Sequence, residues 1–250
     1  MNEKQYDIFY ILNRFINDTS DSIDSILAKY FIDNYYDAKN FNIYNIAAEC
    51  NVSRASIRRF AEKIGYKNFQ NLKKEMILYS KKPQNLNKIN YRKQLTNTIV
   101  SMTEELNQRM DTNQVSVICR KIKEAVHFYI ICFGASLSAV KDFQVRLSAQ
   151  GKIFKLVHNR EDIQALKEIV TKEDLLIVIS ISGRSALAYQ DMFKKLDMLK
   201  MLVTVDRIDD FSDDYDDVYF LSHLDHSHDP SMYRKYGLNY FLDILANEYE

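Results

Sequence analysis

The first 80 residues carry apolar positions at helical spacing and no alternating or continuous strand-like run. In "DSIDSILAKYFIDNYY", Ile23, Ile26, Leu27, Tyr30 and Phe31 fall at i, i+3, i+4, i+7 and i+8, the stripe of a buried helical face. "NIYNIAAEC" predicts a second, shorter helix with Ile43, Ile46, Ala47 and Cys50 inward. "NVS" then breaks the pattern. Ser53 is placed to cap a third helix, its hydroxyl accepting from orphan N–H groups of the next turn. That helix runs from about Arg54 to Ile64, burying Ala55, Ile57, Phe60 and Ala61 or Ile64, and stops at Gly65. A fourth starts near Asn68 and carries Phe69, Leu72, Met76 and Tyr79.

After "SKKPQNLNKIN", a polar run with one of the chain's two prolines, the texture changes. The near-continuous apolar runs "VHFYIIC", "KIFKLV", "LLIVIS", "LKMLVTV" and "DVYFLS" alternate with helical patterns, which predicts a parallel sheet covered on both faces. "SMYRKYGLNYFLDILANEY" closes the chain as an amphipathic helix with Leu238, Phe241, Leu242 and Leu245 on one stripe. The expected organisation is an all-helical domain at 1–80, a linker at 81–90, and a doubly wound α/β domain at 91–250.

Composition narrows this picture. Hydrophobic content of 46% and charged content of 27% over 250 residues are those of a globular chain with room for two cores. No apolar run reaches the roughly 20 residues that span a bilayer, and "MNEKQYDIFY" lacks the order of a signal peptide, so a cytoplasmic protein without membrane partners is expected. Cys50, Cys119 and Cys132 read as buried thiols. The zero net charge is unevenly spread: twelve Lys and Arg stand against two acids between Ser53 and Lys93, so this segment is suited to a polyanion.

Two short helices joined by a tight turn, the second capped by Ser and studded with arginines, match a helix-turn-helix whose second helix enters the DNA major groove. Arg54, Ser56 and Arg58 are assigned to base edges, and Ser53, Arg59 and Lys67 to the backbone. Lys73 and Lys74 on the next helix add phosphate contacts. A solvated basic helix face is the alternative. Beyond these patterns, "IYNIAAECNVSRASIRRFAEKIGYKNFQNLKKEM" resembles the N-terminal helix-turn-helix of RpiR-type bacterial transcription regulators. The resemblance is carried by Ile46, Ala47, Val52, Ser53, Ile57, Arg59, Phe60, Lys63, Gly65, Tyr66, Phe69, Leu72 and Lys73. Ser56 stands where that family more often has Thr. The implied partner is double-stranded operator DNA.

In the second half, "IICFGASLSAVKDF" and "VISISGRSALAYQ" each read as a strand, a small-residue turn and a helix. Both turns put hydroxyls and backbone N–H groups at the C-terminal edge of a parallel sheet, where an anion is stabilised. Ser136 and Ser138 serve the first, and Ser180, Ser182, Gly183 and Ser185 the second; cap and turn formation is the plainer reading. Neither has the phosphate-loop string of a nucleoside triphosphate site or a full dinucleotide fingerprint, so no nucleotide cofactor is expected. From about Asn90 onward the chain resembles a SIS (sugar isomerase) domain, whose "GxGxS" and "SxSGxT" loops hold the phosphate of a phosphosugar. The second motif is kept at Ser180, Ser182, Gly183 and Ser185. The first keeps Gly134 and Ser136, but Cys132 replaces its first Gly, and a side chain there would narrow the pocket. Arg184 adds a candidate phosphate partner. The resemblance implies a phosphorylated-sugar effector that alters operator affinity, and a homodimer presenting two reading heads.

Two alternatives stand beside that reading: a regulator whose SIS domain has lost its ligand and only dimerises, and an isomerase. Isomerisation needs a carboxylate base, and neither serine loop contains one; Glu161, Asp162 and Glu168 read as helix-surface charge. His223, His226 and His228, with Asp225 and Asp229, form a histidine-rich loop that matches no closed metal site, so no metal is expected. In SIS domains this loop precedes the C-terminal helix and can contribute to the sugar pocket, so the resemblance implies His223 and Ser231 as candidates there.

Overall fold

The computed structural model describes residues 8–17, 22–80, 88–110, 113–227 and 229–249, with the backbone alone at 78, 79, 88 and 89. The chain divides into two compact units, Met1–Leu86 and Asn87–Glu250.

The first unit is helical: α1 (Ile8–Ile16), α2 (Ile23–Asp33), a 3₁₀ segment (Tyr35–Asn40), α3 (Ile43–Glu49), α4 (Arg54–Lys63) and α5 (Phe69–Ser80). Its core gathers Leu12, Phe31, Ile46, Ile57, Phe60 and Leu72. Phe60 meets Phe15 edge-on at 5.4 Å and stacks with Phe31 at 6.0 Å. Full burial of Ile57 and of Phe60 contributes on the order of 1.5–3 kcal/mol each, which fixes the roll of α4 and so the face it turns outward. Two expectations are corrected. Ile23 and Ile26 are 49% and 44% exposed, while Leu27 and Phe31 of the expected stripe are buried together with Ala28. Ala55 is exposed, whereas Ala61 and Ile64 are both buried.

The second unit opens with α6 (Lys88–Met110) and α7 (Gln114–Glu124). Of the expected linker, residues 81–87 lie outside the described residues, and Lys88 already belongs to α6, whose Met102 and Leu106 are buried. There follow β1 (Phe128–Cys132), α8 (Leu137–Ala149), β2 (Lys155–Val157), α9 (Arg160–Leu166), β3 (Leu175–Ile179), α10 (Arg184–Ala188), α11 (Gln190–Phe193), β4 (Leu199–Thr204), β5 (Asp217–Phe220) and α12 (Leu238–Glu248), the last preceded by a π-turn at Tyr233–Gly237. The five strands pair in parallel in the order β2-β1-β3-β4-β5. Every residue of β1 and β3 is buried, as a sheet covered on both faces requires. One face packs Phe128, Ile130, Ile177, Met201 and Tyr219 against α6, α7, α8 and α12.

The strand order reverses between β1 and β3. In open α/β sheets the crevice beyond the C-terminal ends of the strands at such a reversal is where ligands sit.

Candidate nucleic-acid interface and serine loops

The turn between α3 and α4 is built from local chemistry. Val52 N–H reaches back to the Ala47 carbonyl at 2.9 Å while Asn51 takes a left-handed φ of 52°, a conformation Asn tolerates better than most residues. Ser53 then caps α4, its hydroxyl accepting from Ser56 N–H at 3.0 Å and lying 2.9 Å from the Ser56 hydroxyl. At the other end Gly65, with φ 92°, lets Tyr66 N–H bond the Ala61 carbonyl at 2.8 Å and stops the helix. Ser53 and Gly65 act where their positions in the sequence place them.

Between those stops Arg54, Arg58 and Arg59 are exposed, as are Lys67 and Lys74 beyond them. Ser56 is half-buried beside Ser53. Lys73 differs from its neighbour: half-buried on α5, it donates to the Phe41 carbonyl at 2.8 Å and fastens the end of the 3₁₀ segment. Lys63 is drawn to the other side by Asp24 at 2.5 Å.

The serine loops leave the sheet side by side, because Cys132 of β1 and Ile179 of β3 are register partners at the point of reversal. In the first, Gly134 takes φ 61° and Ser136 is buried, while Ser138 is exposed at the start of α8. In the second, Ser180 is 3% exposed and its hydroxyl accepts from the N–H groups of Ser185 and Ala186, each at 3.1 Å. Ser180 therefore shapes the loop. Ser182 and Ser185 are half-buried and Arg184 is exposed at the start of α10.

Cys132 does not narrow this crevice. It shares the face of β1 that bears Phe128 and Ile130, and its thiol lies wholly inside the core, where burial pushes its pKa up to about 12.

Sequence reading missed Asp206, at the C-terminal end of β4. Its carboxylate is 2% exposed and presses on Gly183, whose φ is 72°. Oδ1 accepts from Ile208 N–H at 3.0 Å and Asp209 N–H at 3.2 Å, so the group folds its own loop. Burial, a hydrogen bond to Asp206 and the charges of Asp206 and Asp225 raise the Asp209 carboxyl above its ordinary value. The signal was the acid just past a strand end, but only the pairing of β3 with β4 brings it to Gly183.

The remaining candidates have structural partners. Asp162 pairs reciprocally with Asn159 at the N-terminus of α9, Asn159 Oδ1 accepting from Asp162 N–H at 2.8 Å, while Glu161 and Glu168 are exposed. His223 contributes its backbone N–H to Glu105 Oε1 at 2.7 Å, and the Ser231 hydroxyl donates to Asp229. Glu105, on α6, also accepts from the Ser222 and Tyr233 hydroxyls; burial pushes its carboxyl up, but these donors together hold it below the ordinary 4.5. His226 packs on the Tyr233 ring at 4.6 Å, and His228 lies outside the described residues. Among the described residues no three of His, Cys, Asp and Glu are grouped to hold a metal, and no helix is long and apolar enough to cross a membrane. A groove of about 490 Å3 opens at the opposite edge of the sheet, between Lys121, Glu124, Lys172 and Asp174.

Residues 17–82 match the model of the helix-turn-helix domain of the rpiR family. The N-terminal unit is a helix-turn-helix domain of rpiR type. A relative, the HTH-type transcriptional regulator GlvR of Bacillus subtilis (strain 168), is 20% identical over 176 residues. That match covers 70% of this chain and 66% of the relative, just under two thirds of its length. The second unit has the fold of the sugar isomerase domain of an RpiR transcription factor from Sphaerobacter thermophilus, with a TM-score of 0.51 at 17% identity over 64% of this chain and 89% of that one. The Vibrio vulnificus NanR protein complexed with ManNAc-6P is similar over 96% of this chain and 90% of its own, with a TM-score of 0.48 at 17% identity. A helix-turn-helix unit of rpiR type is followed by a unit with the α/β fold of that sugar isomerase domain.

Proposed function

We propose that the chain is a cytoplasmic transcriptional regulator of carbohydrate metabolism genes, and that a phosphorylated sugar bound between the serine loops sets its affinity for operator DNA. The observation that carries the effector half is the emergence of both loops from adjacent strands at the sheet's reversal point, level with one another. Gly134 and Ser136 on one side, and Ser182, Gly183, Arg184 and Ser185 on the other, would surround the phosphate, with Ser180 holding the second loop in shape. In the head, Arg54, Ser56 and Arg58 would address bases, while Ser53, Arg59 and Lys67 hold the backbone; Lys73 keeps α5 in place and reaches phosphate only with its remaining N–H groups. A homodimer would set two heads on a palindrome.

The test is fluorescence-anisotropy binding to the DNA upstream of the chain's own gene and flanking operons, at two salt concentrations, with and without a panel of sugar phosphates. Specific binding shifted by one phosphosugar is the expected result. Arg58→Ala is expected to weaken specific binding by about 1–3 kcal/mol; an unchanged affinity removes Arg58 from the reading set. Ser182→Ala is expected to abolish the effector response and leave unliganded DNA binding intact, and a full response in that variant would exclude this loop.

A second reading, a SIS unit without ligand that only dimerises, draws on one observation: the Ser185 and Ala186 N–H groups are already taken by Ser180. Specific DNA binding that no sugar shifts would select it. Isomerase activity draws no comparable support, since Asp206, the carboxylate beside the loops, is buried and engaged; turnover of pentose or hexose phosphates would reinstate it.

A further inference from the structure

The exposed face of the helix-turn-helix holds an aromatic residue that the arginine pattern does not account for. Tyr44, on the first turn of α3, is 63% exposed, although a tyrosine ring left in water forgoes the burial that usually places it. Its backbone is fixed by Asn42, whose side chain caps α3 by accepting from Tyr44 N–H at 2.9 Å. From there the ring reaches across the pair of helices, and the Arg54 guanidinium lies over it with Cζ 4.6 Å from the centroid. Arg54 is the first residue of α4.

We propose that Tyr44 is a positioning residue for DNA reading: it holds the Arg54 guanidinium over its ring, pre-aimed for a guanine in the major groove. The proposal rests on the DNA-reading role of α4 given above. Its chemistry follows from how a guanidinium divides its interactions. Stacking on an aromatic ring uses the π face, whereas hydrogen bonding uses the N–H groups in the plane, so a stacked arginine keeps its fork free. An unsupported arginine at a helix start loses rotamer freedom when it binds, and the ring removes part of that loss beforehand. The N-terminal residues of a recognition helix are the ones that meet base edges, and an arginine fork fits guanine O6 and N7 better than any other base edge. Tyr44 therefore acts on specificity through Arg54, and its own contribution to non-specific phosphate binding is nil.

The experiment uses the full chain and a duplex library with a randomised core, followed by affinity measurements on the enriched sequence and on random duplex at several salt concentrations. Tyr44→Ala is expected to weaken binding to the enriched duplex about threefold to tenfold, in the range of a cation–π contact together with its ordering effect. It is also expected to relax the preference at the same base pair that Arg54→Ala relaxes. Random-duplex affinity, its salt slope and the thermal midpoint stay at wild-type values. Tyr44→Phe keeps the ring and is expected to keep specificity, and Tyr44→Ala combined with Arg54→Ala is expected to be no worse than Arg54→Ala alone. Loss in Tyr44→Phe equal to that in Tyr44→Ala, a smaller salt slope, or additive effects in the double variant would each overturn the pairing, the first by showing that the hydroxyl makes the contact and the second by showing that the ring serves an Arg54 contact to phosphate. A wild-type chain that enriches no sequence would overturn the DNA-reading role itself, while enrichment that Tyr44→Ala leaves untouched would overturn the pairing alone.

Discussion

Asp174→Ala is expected to lower the stability of the C-terminal unit by about 3 kcal/mol or more, since it strips a buried acceptor from several donors at once. The carboxylate is 1% exposed at the start of β3. Oδ1 accepts from His127 N–H at 3.0 Å and lies 2.9 Å from His127 Nδ1, and Oδ2 accepts from Thr171 N–H at 2.8 Å. These bonds close the loops that lead into β1 and β3, so their loss frees the edge of the sheet where both strands begin. Asp174→Asn is expected to rescue little: one oxygen becomes an NH2 group and meets an N–H. His127→Ala is a mild control, because the imidazole is 64% exposed and leaves the carboxylate its backbone donors. The pH dependence has a definite sign. Burial pushes the Asp174 carboxyl up, but the donors from Thr171 and His127 and the imidazole's charge outweigh it, so the folded-state pKa lies below the ordinary 3.8. A carboxylate with a depressed folded-state pKa stabilises fully above its unfolded value and loses that contribution as pH falls through the folded one. Acid unfolding of the second unit should thus begin below about pH 4, and in Asp174→Ala this acid-sensitive part should be missing. Urea unfolding from pH 7 down to pH 3, followed by circular dichroism, reads both effects; a midpoint within error of wild type would show that Asp174 is not the closure of that edge.

How much of this was legible in the sequence follows from the range of each interaction. Ser53 and Gly65 work through bonds three to five residues away, and both could be placed from the local string. The exposure of Ile23 and Ile26 could not, because the apolar stripe they share with Leu27 and Phe31 is wider than the face the core covers, and only packing decides which part of it is buried. Lys67 and Lys73 are the same residue type on one basic stretch, yet only the packing of α5 against the 3₁₀ segment sends Lys73 to the Phe41 carbonyl. The face of Cys132 was recoverable from the period of two in "FYIIC", which sets it with Phe128 and Ile130 in the core. Tyr44 over Arg54 and Asp206 against Gly183 leave no linear signature. The first depends on how two helices cross, the second on strand pairing between segments more than 20 residues apart.

That second meeting makes Gly183→Ala a variant expected to lose the effector response through the backbone of the loop, where Ser182→Ala loses it through a side chain. Gly183 sits at φ 72°, where an alanine pays about 1–2 kcal/mol for its Cβ. The added carbon would stand 2.0 Å from Asp206 Oδ2, 2.8 Å from Cγ and 2.9 Å from Cβ. The whole side chain is in the way, and it is buried and tied to the N–H groups of Ile208 and Asp209, so it has nowhere to swing. Overpacking of this kind adds about 1–3 kcal/mol, bringing the total loss to about 3 kcal/mol. The chain answers by displacing either the Ser180–Ser185 loop or the turn after β4, and both border the proposed phosphate site. Sugar-phosphate response should be lost, whereas the head, whose core contains no residue of this loop, should still bind operator. Gly134→Ala provides the contrast, since a Cβ there meets nothing within 4 Å and only the φ of 61° is strained. Combining Gly183→Ala with Asp206→Gly should recover about 1–3 kcal/mol relative to the sum of the single variants, because the collision needs both partners. Additive losses in that cycle would mean that the strained backbone alone requires glycine at 183, and that the buried carboxylate does not set the height of the loop.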